Sequence, residues 1–259
     1  MLEVNHLRFS YGKNPVLRDI HFRAVPGEMV CILGPNGTGK STLFKCMLGL
    51  LRGWDGEIAL NGEDIRQMKP GERAKKMAYI PQAANPAFAY SVLDMVTMGT
   101  TAGLHGFRVP GKKERTIAVA ALGKLGIGHL LERDYTSLSG GEQQLVLIAR
   151  ALAQGSNTLI MDEPTSSLDY GNQVRVELQL RKLTEEGYSI IQSMHNPEQA
   201  YLFADRVVGL RDGYVIADGP PRDILNEELI EKLYRISVRK VDAEDGKGRF
   251  FGSINSFGV

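Results

Sequence analysis

Short apolar segments alternate along this chain with longer segments of helical pattern. Four of the apolar segments have the length and continuity typical of strands buried in a parallel sheet: residues 28–33 (EMVCIL), 76–81 (KMAYIP), 158–163 (TLIMDE) and 188–195 (YSIIQSMH). Stretches such as STLFKCMLGLL and QVRVELQLRKLTEEG lie between them and indicate helices. Because strands alternate with helices, the pattern predicts an α/β fold with a largely parallel sheet.

The amino-terminal segment VLRDIHF has the two-residue alternation of a half-buried strand. The alternation predicts one face with Val16, Arg18, Ile20 and Phe22, opposite a face with Leu17, Asp19 and His21. The segment EIAL precedes Asn61-Gly62 and is expected to be an edge strand that enters a tight turn.

The 259 residues suffice for one or two domains, at about 150 residues for each. The pattern is helical from about residue 85 to residue 153 and returns to strands afterwards. We therefore expect one domain over 1–240, with a helical subdomain inserted at about 85–153. Residues 241–259 are Gly-rich and polar, and we expect a C-terminal tail or a small hairpin there.

Composition excludes several classes of protein. The formal charge of +1 gives no electrostatic footprint for nucleic acid or for an anionic membrane surface. No apolar run approaches the ~18 residues that span a bilayer, and no signal-peptide pattern begins the sequence. Any work at a membrane would then need docking to a protein that spans it. Cys31 and Cys46 stand in apolar surroundings without metal-ligand spacing, so we expect buried, reduced thiols.

A glycine-rich segment follows the first buried strand and precedes a helix. Its residues fit the pattern GxxxxGK[ST]: Gly34, Pro35, Asn36, Gly37, Thr38, Gly39, Lys40 and Ser41, with Thr42 next along the helix. In such a loop the backbone N–H groups and the helix N-terminus bind phosphate oxygens. Lys40 would reach the β- and γ-phosphates of a nucleotide, and the Ser41 hydroxyl would ligate Mg²⁺. The alternative is a glycine-rich turn that arises by chance.

Polar residues end two of the other buried strands. Asp162 and Glu163 close TLIMDE, and His195 closes YSIIQSMH. The carboxyl ends of parallel strands meet at the crevice where the phosphate loop lies. There Asp162 would hold Mg²⁺, Glu163 would orient and deprotonate the attacking water, and His195 would donate to the γ-phosphate. The alternatives are a solvated acidic pair and a loop or helix-capping histidine.

The run Leu138-Ser-Gly-Gly-Glu142-Gln143 precedes the apolar helix LVLIARALA. It can be a capping box, with Ser139 as N-cap and Glu142 three residues later. A cap alone does not require Gly140 and Gly141. Two glycines at a helix N-terminus would let a phosphate of another molecule approach the backbone N–H groups.

In their order along the chain, these motifs resemble those of the nucleotide-binding subunit of ATP-binding cassette (ABC) transporters, over about residues 2–235. The resemblance adds Tyr11 before the phosphate loop, Gln82 after KMAYIP, and Ser167-Leu168-Asp169 after the carboxylates. It implies an α/β P-loop NTPase core of RecA-like type, with an antiparallel β subdomain and an inserted α-helical subdomain.

The resemblance also implies roles for these residues. Tyr11 would stack on adenine, and Gln82 would touch Mg²⁺ and the water and link the core to the helical subdomain. Ser139, Gly140 and Gly141 would bind the γ-phosphate of ATP held by a facing copy in a head-to-tail homodimer, with Asp169 at the dimer centre. The alternatives are a surface tyrosine, a polar residue after a strand, and a helix cap at Asp169.

A single cassette without a membrane-spanning segment fits an importer whose permease is a separate chain. The segments around SVLDMVTMG and GPPRDILNEELIEKLYRISVRKV resemble ATPases that import iron-siderophore, haem or cobalamin. Importers of zinc, manganese or molybdate are the nearest alternative. A soluble ABC ATPase of iron–sulfur cluster assembly, without a permease, is an alternative of another class.

The importer interpretation implies partners and a location. The chain would lie at the cytoplasmic face of the cell membrane, bound to a permease and through it to a substrate-binding protein. The permease would dock near residues 83–94, from Ala83 to Asp94, where Phe88 and Tyr90 are candidates for exposed contacts. The alternative is that these aromatic side chains pack inside the helical subdomain.

Overall fold

A computed structural model gives the fold and describes residues 1–82, 89–103, 109–246 and 248–253. The strands in this part of the chain are β1 (Leu2–Tyr11), β2 (Asn14–Ala24), β3 (Met29–Leu33), β4 (Asp55–Leu60), β5 (Glu63–Asp64), β6 (Met77–Ile80), β7 (Thr158–Met161), β8 (Ser189–Met194), β9 (Arg206–Arg211), β10 (Tyr214–Gly219), β11 (Val238–Asp242) and β12 (Arg249–Ser253). The helices are α1 (Lys40–Met47), α2 (Pro70–Lys76), α3 (Val92–Thr97), α4 (Lys112–Lys124), α5 (Gly140–Ala153), α6 (Tyr170–Glu185), α7 (Pro197–Phe203), α8 (Pro221–Ile224) and α9 (Glu227–Tyr234). The four predicted buried strands are confirmed as β3, β6, β7 and β8.

The chain divides into two compact units. The first consists of Met1–Gln67 and Ile191–Val259, and the second of Met68–Ile190. The helical subdomain predicted at about 85–153 falls in the second unit, although its expected start at residue 85 lies outside the described residues. The bounds of that subdomain and of the 1–240 domain stay predictions.

The first unit contains both antiparallel and parallel strands, in the order β5-β4-β1-β2-β10-β9-β3-β8. β1 is antiparallel to β2 and β4, whereas β3 is parallel to β9. The expectation that EIAL forms an edge strand is wrong, because β4 lies between β1 and the short strand β5. Asn61 and Gly62 both have positive φ, 53° and 81°, as a tight hairpin turn requires, and they return the chain for this additional pairing.

A β-bulge in β2 changes the two faces predicted for VLRDIHF. β2 has one more residue between Leu17 and Ile20 than β1 has between Phe9 and Leu7. An extra residue shifts the alternation of side chains. Leu17 and Ile20 are therefore both buried, and Arg18, which was expected on the face of Ile20, is exposed.

The carboxyl-terminal part of the first unit packs around the ends of β3 and β8. A buried cluster joins these strands to α7 and α9; it includes Cys31, Leu33, Met194, Ala200, Tyr201, Leu229, Ile230 and Leu233. β11 and β12 form an antiparallel hairpin in register from Val238↔Ser253 to Asp242↔Arg249. Val238 is part of the buried cluster, and Phe251 packs against it.

The second unit combines a parallel strand pair with packed helices. β6 and β7 pair from Met77↔Thr158 to Ile80↔Met161. The helices α3, α4 and α5 pack against one another, and α5 also packs against α6. Both carboxyl ends of the strand pair therefore lie at one edge of this unit.

Candidate functional site

The glycine-rich segment joins the end of β3 to the start of α1, as the sequence predicts. Gly34 lies so close to β9 that a Cβ atom there would stand 2.4 Å from the carbonyl oxygen of Leu210. Gly39 precedes α1 with φ 102°, a left-handed conformation that glycine adopts without strain. The start of α1 has no side-chain cap, and the N–H groups of such a helix end attract anions.

The ammonium group of Lys40 lies inside this loop. Its Nζ donates to the carbonyl oxygens of Gly34 at 2.7 Å and Pro35 at 3.1 Å, and the residue is only 5% exposed. The Thr38 hydroxyl also donates to Pro35, at 2.9 Å. Since phosphate oxygens accept stronger hydrogen bonds from an ammonium than neutral carbonyls do, this arrangement favours a phosphate ligand. The other predicted residues are accessible: Asn36, Gly37 and Ser41 are exposed, and Thr42 is half-buried.

β8 brings His195 to the start of the phosphate loop. β8 and β3 are neighbours in the sheet, and the N–H of Gly34 donates to the carbonyl of Met194 at 3.4 Å. His195 follows immediately and is exposed. Its own carbonyl accepts a 2.7 Å hydrogen bond from the hydroxyl of Tyr234.

A cavity of about 470 Å³ lies beside the phosphate loop. Its lining includes Pro35, Asn36, Gly37 and Thr38 of the loop, Val16 and Arg18 of β2, and Arg211, Asp212 and Gly213 from the end of β9 and the following turn. The sequence analysis missed Arg18 and Arg211, because the bulge in β2 and the pairing of distant segments bring them there. The signal available in the sequence was the turn dipeptide Asp212-Gly213, which lies at this cavity. The carbonyl of Gly213 accepts a hydrogen bond from the N–H of Arg18 at 2.8 Å.

Tyr11 stands at the end of β1 and is 47% exposed. Its ring meets that of Phe9 edge-on, with centroids 4.9 Å apart. Tyr11 is not among the described residues that line the cavity. The structure thus leaves a stacking role for this ring as a prediction.

In the second unit, Gln82 follows β6, and the two carboxylates follow β7. The N–H of Asp162 extends the strand pairing by donating to Ile80 at 3.1 Å. The amide of Gln82 donates to the hydroxyl of Ser166 at 2.8 Å, and this hydroxyl donates to the carbonyl of Glu163 at 3.1 Å. The structure therefore links Gln82, which the resemblance added, to the loop that begins at Asp162 and Glu163, and it adds Ser166 between Gln82 and Glu163.

The backbone of Glu163 is left-handed, with φ 46°. Such a conformation costs a non-glycine residue about 1 kcal/mol or more and needs support from its surroundings. Helix α6 gives this support to the loop that follows. The amide of Gln173 donates to the carbonyls of Thr165 at 3.1 Å and Leu168 at 3.0 Å, and the buried Glu177 accepts from the hydroxyl of Thr165 at 3.5 Å.

The capping box at the start of α5 is present. The N–H of Glu142 donates to the hydroxyl of Ser139 at 3.4 Å, and the N–H of Ser139 donates back to the Glu142 carboxylate at 2.9 Å. The hydroxyl of Ser139 also donates to this carboxylate, at 2.8 Å, and these hydrogen bonds lower the pKa of Glu142. The expected role of Ser139 as the N-cap of α5 is therefore confirmed in the single chain.

The two glycines of this segment have a packing role within the unit. A Cβ at Gly140 would meet Leu168 at 3.0 Å, and one at Gly141 would stand 2.6–2.9 Å from the side chain of Asn172. The sequence analysis gave these glycines only a role toward a phosphate; close packing against α6 is a second reason for them.

Asp169 caps α6. Its carboxylate accepts from the N–H of Asn172 at 2.9 Å and from the Asn172 amide at 2.6 Å, and these hydrogen bonds lower the pKa of Asp169. The cap that the sequence analysis kept as an alternative is thus formed.

Part of the segment expected to face a permease, residues 83–88 with Phe88, lies outside the described residues. Tyr90 is half-buried, and its carbonyl accepts from the N–H of Tyr135 at 3.0 Å. Ser91 caps α3 through the N–H of Asp94. No helix in the described ranges has the length and apolar character needed to cross a bilayer.

The chain matches known proteins over most of its length. The family model for ABC transporters matches residues 17–166. An ABC transporter ATP-binding protein of Haemophilus influenzae is 42% identical over 92% of this chain and 90% of its own length. The hemin import ATP-binding protein HmuV of Deinococcus radiodurans is 40% identical over 90% and 89% of the two chains, and HmuV of Burkholderia thailandensis is 37% identical over 95% and 97%.

A solved structure of an inward-facing, metal-chelate type ABC transporter superposes with a TM-score of 0.85 at 32% identity, over 98% of this chain and 96% of the other. The expected mixed α/β, P-loop NTPase fold is thereby confirmed. By family match, full-length similarity and fold, this chain belongs to the ATP-binding subunits of ABC transporters, which bind and hydrolyse ATP.

Proposed function

We propose that this chain is the ATP-hydrolysing subunit of an ABC importer for a metal chelate, of which haem is the favoured example. The observation that carries the proposal is its similarity to hemin import ATP-binding proteins over nearly the full length of both chains. The likeness to a metal-chelate type transporter structure supports it. Iron-siderophore and cobalamin are the other chelates of this type.

The first unit fits the binding of a nucleoside triphosphate. Lys40 holds a buried positive charge in the loop, and the uncapped start of α1 adds N–H donors. The adjoining cavity of about 470 Å³ has the size of a small-molecule site, commonly about 300–1,000 Å³. Lys40 binds the β- and γ-phosphates, and His195 donates to the γ-phosphate.

The second unit supplies the groups for hydrolysis. Glu163 accepts a proton from the attacking water. Its left-handed backbone, followed by a loop that α6 holds at Thr165, supports this role. Gln82 orients the water. Ser166 links the Gln82 amide to the Glu163 carbonyl by hydrogen bonds. A displacement of Gln82 would therefore shift the backbone of the residue that takes the proton.

Mg²⁺ fits the oxygen donors that these residues offer. The described residues contain no cluster of three or more His, Cys, Asp or Glu side chains that would form a protein-only metal site. Mg²⁺ commonly binds through one or two carboxylates together with substrate phosphates and water. Asp162, Ser41 and Gln82 would hold it, and the bound ion would neutralise charge on the phosphates.

The working form is a head-to-tail homodimer joined to permease subunits. Ser139, Gly140 and Gly141 of one copy bind the γ-phosphate held by the loop of the other, and Asp169 lies near the dimer centre. ATP draws the copies together because each γ-phosphate gains donors from both. Hydrolysis removes the shared charge, and the dimer reopens.

Affinity purification of the tagged chain from gently solubilised native membranes tests the transport role. We expect mass spectrometry to identify a multi-span permease, and an excess of untagged chain to reduce its recovery. Recovery of soluble proteins alone, with ATPase activity intact, would refute the importer and favour a soluble ABC ATPase such as that of iron–sulfur cluster assembly.

The purified complex in proteoliposomes then tests the substrate class. We expect ATP-dependent uptake of haem or another iron or cobalt chelate, and none when Glu163 is replaced by Gln. Uptake of zinc, manganese or molybdate in place of the chelates would contradict the proposed substrate.

A further inference from the structure

The end of α9 contacts two residues that lie near the phosphate loop, Arg211 and His195. The carbonyl of Leu233 accepts a hydrogen bond from the guanidinium of Arg211, which lines the cavity beside the loop. The next residue, Tyr234, donates its hydroxyl to the carbonyl of His195 at 2.7 Å. Helix α9 stops at this point, because Arg235 has left-handed backbone with φ 58°.

Helix α9 packs against the strands that precede the phosphate loop and His195. Its buried residues Leu229, Ile230 and Leu233 belong to the cluster that also contains Leu33 and Met194, the residues just before Gly34 and His195. The N-terminus of α9 is capped by Asn226, which accepts from the N–H of Leu229 at 2.9 Å. The position of the Tyr234 ring is therefore set by the same core that sets the ends of β3 and β8.

Two hydrogen bonds bracket the backbone of His195. The carbonyl before it, on Met194, accepts from the Gly34 N–H of the phosphate loop, and its own carbonyl accepts from Tyr234. Together they fix the peptide planes on both sides of the residue, and with them the direction of its Cα–Cβ bond.

The pair lies at an open part of the surface. A cavity of about 340 Å³ is lined by His195 and Tyr234 and continues to Ile236 and Phe251. The hydroxyl of Tyr234 thus restrains the carbonyl of His195 beside this open volume.

We propose that Tyr234 is a positioning residue for ATP hydrolysis, which acts by holding the backbone of His195 so that its imidazole keeps one orientation toward the phosphate loop. The inference rests on the proposed role of His195 at the γ-phosphate. It makes the carboxyl-terminal helix part of the catalytic framework, although α9 touches no reacting atom.

The test compares two substitutions that each remove one tyrosine hydroxyl, from Tyr201 in the buried cluster and from Tyr234, which packs against that cluster. Tyr234→Phe removes the hydrogen bond to His195. Tyr201→Phe is the matched control, because the Tyr201 hydroxyl also donates to a backbone carbonyl, that of Gly246 at 3.3 Å, away from His195. For Tyr234→Phe we expect kcat for ATP to fall about three- to tenfold with KM within twofold of wild type, an effect on turnover rather than on binding. Tyr201→Phe should keep both constants, and the two variants should have the same Tm within about 2 °C, since each loses one hydrogen bond.

His195→Ala, alone and with Tyr234→Phe, separates this inference from the role of His195. Single-turnover rates should show a large loss for His195→Ala and less than a 1.5-fold further loss on adding Tyr234→Phe, because a positioning residue has no effect once its target is gone. Full turnover in His195→Ala would show the assigned role of His195 to be wrong. A large loss in His195→Ala with unchanged kcat in Tyr234→Phe, equal losses in the two tyrosine variants, or an additive loss in the double variant would overturn the positioning role alone.

Discussion

A methyl group at position 141 would collide with the first turn of α6. An ideal Cβ on Gly141 would stand 2.6 Å from Oδ1, 2.7 Å from Cγ and 2.9 Å from Cβ of Asn172. The Asn172 side chain is not free to turn away, because its amide donates to the Asp169 carboxylate at 2.6 Å. The substitution Gly141→Ala must therefore separate α5 from α6 or break the cap of α6.

The expected loss of stability follows from these distances. Carbon atoms in contact are separated by about 3.5–4.0 Å, so all three contacts are too short by about half an ångström or more. Overpacking of this kind costs about 1–3 kcal/mol, whereas exchange of Gly for Ala inside a helix gains at most about 1 kcal/mol. We expect a net destabilisation of about 1–2 kcal/mol, which for a chain of this size lowers Tm by about 2–8 °C.

Thermal unfolding of two alanine variants measures the effect. Gly140→Ala is the matched control, because among the described residues a Cβ there meets Cδ2 of Leu168 alone, at 3.0 Å, the far end of a flexible side chain. Its Tm should stay at or above that of wild type. Replacing Asn172 by Ala removes two of the three close atoms, so Gly141→Ala in that background should be less harmful, with a coupling of about 1 kcal/mol.

Equal Tm values for the two alanine variants, or a stabilised Gly141→Ala, would refute the packing argument. The same would hold if the Asn172→Ala background left the loss unchanged. Gly140 and Gly141 would then serve only the approach of a phosphate from a facing copy.

Three further predictions concern separate groups. Lys40→Ala should weaken ATP binding at least tenfold in a calorimetric titration, whereas Lys45→Ala, an exposed lysine in the last turn of the same helix, should bind as wild type; equal affinities would contradict the role of the buried ammonium. Glu163→Gln should bind ATP, elute as a dimer in its presence and hydrolyse it at below about 1% of the wild-type rate, a loss comparable to that of a general base, whereas the exposed Glu185→Gln should hydrolyse normally. Burial raises the pKa of Cys46 from 9.0 to about 12, so the contribution of the neutral thiol to the free energy of unfolding is complete below pH 9 and is lost as the pH rises toward 12. Denaturant titrations over that range should show a flatter decline of the free energy of unfolding for Cys46→Ala than for wild type. An unchanged slope would contradict the shift.

Much of the site could be predicted from sequence because its residues stand at the ends of buried strands. Continuous apolar runs identify β3, β7 and β8, and strand ends in a parallel sheet share one edge. Glu163 and His195 stand just after β7 and β8, so local pattern was sufficient to select them as candidates. The strand-loop-helix order around the glycines gave the phosphate loop in the same way.

The contacts that hold these residues in place depend on pairing between distant segments. The bulge in β2 turns Arg18 outward, and no alternation in VLRDIHF indicates an extra residue. Arg211 lines the cavity beside the phosphate loop, and Tyr234 reaches His195, because β9 lies beside β3 and α9 packs on both strands. Ser139 and Asp169 show a further limit, since a good helix cap and a phosphate-binding or dimer-contact residue need the same side chains.

With the role proposed for Glu163, its left-handed backbone places ATP turnover and stability in opposition at one residue. Selection for the fold alone would favour glycine or asparagine at φ 46°, where a longer side chain adds about 1 kcal/mol of strain. A programme of thermostabilisation that ignored activity would therefore tend to replace this carboxylate early. By the proposed role of Glu163, the product would be a more stable protein that no longer hydrolyses ATP. Heat resistance in this protein is better sought at surface positions remote from the loop after β7.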